Sequence, residues 1–125
     1  MATKPCRVLV VDDDRDTAET LAYLLVGMGY EATFLTEPSL VAETVDRIKP
    51  HIVFLDIGMP GLSGWEIAAT IRKKYPYDGL HLVAITALGD DQARIKSRQA
   101  GFDAHVHKPV AIELVESIIK QLVAR

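Results

Sequence analysis

Three aspartates stand where acids can do chemistry: Asp12 and Asp13 end the apolar run RVLVV, and Asp56 ends HIVFL. After Asp56 the chain enters a Gly/Pro-rich stretch, IGMPGLSG. An isolated aspartate in such a place opens a turn by bonding its own backbone. Three carboxylates brought together repel one another, and one stays protonated unless a cation joins them. Mg²⁺ suits that set, since it takes oxygen ligands, few carboxylates and several retained waters. Asp12 and Asp13 would hold the ion, Asp56 would share it, and Gly58 would offer its backbone carbonyl. Aspartate is also a nucleophile toward phosphorus and gives an acyl phosphate. In that step Mg²⁺ neutralises charge on the transferring oxygens. Lys108 would oppose the remaining negative charge, and the Thr86 hydroxyl would hydrogen-bond a phosphoryl oxygen.

These residues lie far apart in sequence, so the fold must bring them together. RVLVVD, HIVFLD and LHLVAIT read as buried strands, YEATFL and AHVH as two more. Helices alternate with them. The first is capped by Asp14, carries apolar Leu21, Leu24, Leu25 and Met28, and ends at Gly29. The second spans PSLVAETVDRIK, with Pro38 in its first turn and Pro50 beyond its end. GWEIAATIRKKY stops before Pro76. DDQARIKSRQAG has aspartate caps and a terminal Gly101, and VAIELVESIIKQLVAR follows Pro109. Five strand–helix alternations with short connections predict an α/β fold: a flavodoxin-like, doubly wound parallel sheet of order 2-1-3-4-5 in one domain over residues 1–125. In that topology strands one and three adjoin at the switch point, so the three acids, Thr86 and Lys108 converge on one sheet edge. There Asp56 is expected to be exposed enough to react, yet fixed by the sheet.

The composition agrees with a single globular unit. The chain has 125 residues, 49% hydrophobic and 25% charged, enough for one good core. A net charge of −3 argues against nucleic-acid binding through bulk electrostatics. No apolar run reaches the roughly 20 residues that span a bilayer, and the N-terminus does not read as a signal peptide. The single cysteine, Cys6, reads as a small core hydrophobe and fits a reducing cytoplasm.

VLVVDDD, LDIGMPGLSG, VAIT and HKP, in this order, resemble the successive signatures of receiver domains of bacterial two-component response regulators, over residues 7 to 124. The resemblance implies a phosphorelay switch rather than an enzyme. Asp56 would be the acceptor, charged by a sensor histidine kinase or a histidine phosphotransfer protein. Asp12 and Asp13 match the acidic pair that binds Mg²⁺. Thr86 matches the switch hydroxyl, Lys108 the phosphate-contacting lysine, and Pro109 a proline preceded by a cis bond. The output face would comprise the fourth helix, strand five and the fifth helix, Asp90 to Arg125, for a protein partner or a phosphorylation-dependent homodimer. No nucleic acid or membrane partner is implied. A stand-alone receiver and a piece of a longer regulator or hybrid kinase both fit.

One departure matters. Three residues before the lysine, receivers commonly carry Tyr or Phe; here it is His105, expected to make a similar inward move with pH sensitivity. Gly58 and Leu88, two residues beyond Asp56 and Thr86, offer no polar side chain to orient attacking water, so no dedicated hydrolytic base is expected. Asp14 reads as a cap rather than a ligand. His105 and His107 share a strand face, but a core or rim role is expected without a third ligand. His51 and His81 read as solvated, Trp65 and Tyr75 as packing residues, and IRKK as a solvated helix end suited to the dipole. A haloacid-dehalogenase-like phosphatase would need Thr or Val where Asp16 stands. A nucleotide- or flavin-binding module would need Gly, Ser or Thr where three acids follow strand one.

Overall fold

The computed structural model describes residues 5–59, 63–75, 79–87 and 91–123. Its parallel strands are β1 (Arg7–Val11), β2 (Glu31–Leu35), β3 (Ile52–Asp56), β4 (His81–Thr86) and β5 (Ala104–His107). They pair in the expected order, β2-β1-β3-β4-β5. The helices are α1 (Arg15–Gly27), α2 (Val41–Ile48), α3 (Gly64–Lys74), α4 (Asp91–Ala100) and α5 (Ile112–Leu122).

Alternation along each strand divides the core between the two sheet faces. Val8, Val10, Phe54, Val83, Ile85 and Val106 meet α1 and α5 on one face. Leu9, Val11, Val53, Leu55, Leu82 and Ala84 meet α2 and α3 on the other. All five residues of β3 are buried, as its central place requires.

Local chemistry sets the element ends. Asp14 caps α1, accepting from the Asp16 amide and the Thr17 hydroxyl, and that hydroxyl bond lowers its carboxyl pKa. Gly101 closes α4 at φ 111°, where a side chain would be strained. Gly64 opens α3 so close to the preceding loop that a Cβ there would lie 2.5 Å from the Ile57 Cα.

Several expectations need correction. On α1 the buried stripe is Ala18, Leu21, Ala22 and Leu25, while Leu24 and Met28 face solvent; the sheet accepts only one side of the helix. Pro38–Leu40 forms a 3₁₀ turn ahead of α2. Lys49 ends α2 in the left-handed region at φ 47°, with Pro50 just beyond it as expected. His51 is not simply solvated: its Nδ1 accepts from the Arg7 amide at 2.9 Å. His81 is the first residue of β4 and packs 3.7 Å from Asp103. Pro76 and Asp90, expected at helix ends, lie outside the described residues. Cys6 packs partly buried against the α1–α5 side, where burial raises its thiol pKa.

The end of α3 departs furthest from its expectation. Arg72 leaves solvent and spans the α3–β4–β5 corner, donating to the carbonyls of Gly101 and Leu80. Its Nη2 also meets Asp103 Oδ2 at 2.8 Å, with side chains 9% and 17% exposed. The same carboxylate oxygen accepts the Leu82 amide at 2.9 Å.

Candidate functional site

At the carboxyl edge of the sheet, β1 and β3 lie side by side, with Val11 opposite Leu55. Asp12, one residue past β1, and Asp56, the last residue of β3, therefore emerge as neighbours. Ligand oxygens of Asp12, Asp13 and Asp56 all lie within 4.8 Å of one another. Asp13 is exposed, whereas Asp12 is fully buried and Asp56 only 4% exposed. The expected exposure of Asp56 is thus corrected: β3 is the central strand, and its last side chain is sheltered with the strand.

Lys108 closes the cluster. Its Nζ stands 2.9 Å from Asp56 Oδ2 and 3.1 Å from Asp12 Oδ2. Its backbone amide donates to the Thr86 carbonyl at 3.0 Å, which ties the end of β4 to the same place. Burial alone would lower the Lys108 pKa, but the nearby Asp56 and Asp12 carboxylates outweigh it and raise the pKa. The peptide bond from Lys108 to Pro109 is cis. Thr86 ends β4, buried, and pairs in register with His107.

Two turns hold the carboxylates in place. Asp12 Oδ1 accepts the Asp14 amide at 3.0 Å, and Asp56 Oδ1 accepts the Gly58 amide at 2.8 Å. The remaining oxygen of Asp12 is different: buried, facing the lysine charge, it has no hydrogen-bond partner. Burial raises the Asp12 pKa, the Asp14 amide and Lys108 acting against it. A buried carboxylate oxygen met only by an ammonium charge, beside two further carboxylates, is a donor set that a hard divalent cation fits.

His105 lies partly buried on β5, on the side facing α4. Burial lowers its pKa, with the charges of Arg94, His107 and Arg98 acting in the same direction. The His105 and His107 rings meet edge to face with centroids 5.5 Å apart. Among the described residues the only group of three metal-capable side chains is that of Asp12, Asp13 and Asp56. Leu88 lies outside the described residues. Trp65 and Tyr75 do pack as expected; Trp65 also donates its indole N–H to the buried Ser97 hydroxyl of α4 at 3.0 Å. Sequence reasoning missed this bond between helices, and no local pattern announces it.

A family profile described as the response regulator receiver domain matches residues 8–120. The sensory transduction protein RegX3 of Mycobacterium tuberculosis is 34% identical over 113 residues, covering 89% of this chain and 48% of RegX3. The DNA-binding response regulator MtrA of Mycolicibacterium smegmatis is 32% identical over 109 residues, covering 87% of this chain and 46% of MtrA. The chain thus spans about half the length of these curated relatives. A solved structure described as a putative response regulator from Chloroflexus aurantiacus superposes with a TM-score of 0.86 at 28% identity, covering 98% of this chain and all of that one.

Proposed function

The chain belongs to the response regulator receiver domain family, and from that premise we propose that Asp56 accepts a phosphoryl group under Mg²⁺ and Lys108 control. The family is a signalling switch rather than an enzyme family. Its members are phosphorylated by histidine kinases. Nothing supports the phosphatase reading. No helix among the described residues is long and apolar enough to cross a membrane.

The observation that carries the proposal is the convergence of three carboxylates and one ammonium at the switch point, with an Asp12 oxygen left without a hydrogen-bond partner. Asp12, Asp13, Asp56 and the Gly58 carbonyl would hold Mg²⁺. When bound, the ion offsets negative charge as two anions approach. An Asp56 carboxylate oxygen attacks phosphorus, and the bond from phosphorus to the donor imidazole nitrogen breaks, leaving the donor histidine and an acyl phosphate. Lys108 exchanges its carboxylate contacts for a phosphoryl oxygen, and the Thr86 hydroxyl bonds another. His105 then moves inward on β5, so that the face of α4, β5 and α5 changes its affinity for a partner. The donor is a sensor histidine kinase or a histidine phosphotransfer protein, the setting is cytoplasmic, and the domain extends over residues 1–125. With Gly58 bare, water has no base there, so autodephosphorylation is slow.

Mass spectrometry after incubation with acetyl phosphate and Mg²⁺ tests this reading. One added phosphoryl group is expected, absent in Asp56→Asn and absent with a chelator. An adduct that persists in Asp56→Asn refutes the assignment.

A further inference from the structure

The groove between α4 and β5 combines features that the phosphorylation chemistry does not use. It encloses about 390 Å³ and is lined by Arg94, Ile95, Arg98, Phe102 and His105. Arg94 and Arg98 stand one helical turn apart, and like charges at that spacing destabilise a helix. Neither makes an ion pair with another described residue. The acid lining the same groove, Asp103, is taken by Arg72 at 2.8 Å. Between the two arginines Ile95 is 57% exposed. The chain as a whole is acidic, at −3, so this basic patch runs against its overall charge.

We propose that this groove docks an acidic segment of a partner protein, its carboxylates on Arg94 and Arg98 and an apolar side chain on Ile95. The inference rests on the reading above, since it gives a chemistry to the partner of the α4–β5 face. Guanidinium groups are suited to it, because their planar fork meets a carboxylate through two parallel hydrogen bonds. Acidic groups facing the arginines would relieve the repulsion between them, and the exposed isoleucine would lose its contact with water. That apolar contact between two cations favours a protein segment over a nucleic acid strand. His105 contributes an imidazole held toward the neutral form by its burial and by the arginine charges, so the positive charge of the groove comes from α4.

The test titrates a fluorescein-labelled peptide of alternating glutamate and leucine into the full chain, followed by anisotropy, with a glutamine–leucine peptide as control. Saturable binding of the acidic peptide alone is expected, weakened about tenfold by Arg94→Gln with Arg98→Gln and further by salt. Equal binding of both peptides overturns the proposal, as does unchanged affinity in Arg94→Glu with Arg98→Glu. A single-stranded oligonucleotide that competes for the groove overturns it too, as does a dimer in sedimentation that the arginine substitutions dissolve. Titrations with and without acetyl phosphate and Mg²⁺ separate the two readings. Charge-dependent binding indifferent to phosphorylation upholds the dock and removes phosphorylation control of this face. An Asp56 adduct without charge-dependent binding overturns the dock alone.

Discussion

Each edge of the sheet carries a carboxylate beside a cation, and the two pairs are built differently. Near the start of β4 and β5, Asp103 Oδ2 accepts from Arg72 and from the Leu82 amide, and the guanidinium spends other donors on two carbonyls. At the carboxyl edge one ammonium serves both Asp12 and Asp56, and Asp12 Oδ2 lacks a hydrogen bond. Both sites are sheltered and both hold opposite charges. The difference is saturation: the Asp103 bridge is committed to backbone and guanidinium donors, whereas the Asp12–Asp56 cluster keeps coordinating capacity. Burial of charge alone does not mark a reactive site.

The comparison can be broken first at the Arg72 bridge. Asp103→Ala leaves the guanidinium without its counter-charge and the Leu82 amide without its acceptor, at an expected cost of about 3 kcal/mol in urea denaturation. The folded fraction should still form the Asp56 adduct. A negligible loss of stability would show that the bridge is not the structural member of the pair.

A smaller effect sharpens the other side. Mg²⁺ at ten times its dissociation constant should stabilise the folded protein by about 1.4 kcal/mol, if it binds only the native state. Asp13→Asn should remove most of that gain and Asp103→Ala none of it, read as thermal shifts. A shift that survives in Asp13→Asn would break the assignment of the open cluster to the cation.

The smallest effect concerns His51, near the Arg72 end of the sheet. Burial first, and then the Arg7 charge, lowers its pKa, and its Nδ1 accepts the Arg7 amide. As pH falls, the unfolded chain takes up the proton first. The stability from this group is therefore present above the ordinary histidine pKa of about 6.5 and is lost as pH falls through the lower folded value. His51→Asn keeps an acceptor without the titration, so the acid side of its stability profile should be shallower. Identical profiles would assign the acid sensitivity elsewhere.

The sheet order was legible because five apolar runs alternate with helical stretches, and a parallel sheet leaves few ways to connect them. The acid cluster was legible because Asp12 and Asp56 each end such a run, so strand order alone makes them neighbours. Arg72 was not legible. In the sequence it stands in a basic helix end, and its acceptors Gly101 and Asp103 lie 29 and 31 residues away. Leu24 and Met28 fit the helical spacing but fall off the side that meets the sheet. The burial of Asp56 also escaped notice, since a strand end reads as a boundary with solvent until its neighbours are placed.

The bond from Trp65 to Ser97 has a practical consequence. The chain contains a single tryptophan, and its indole joins α3 to the helix that bears the basic groove. The Lys96 ammonium lies over the same ring, 4.4 Å from the centroid. Tryptophan emission, excited selectively over tyrosine, therefore reports on one place in the molecule, and a displacement of α4 is visible in it without any attached dye.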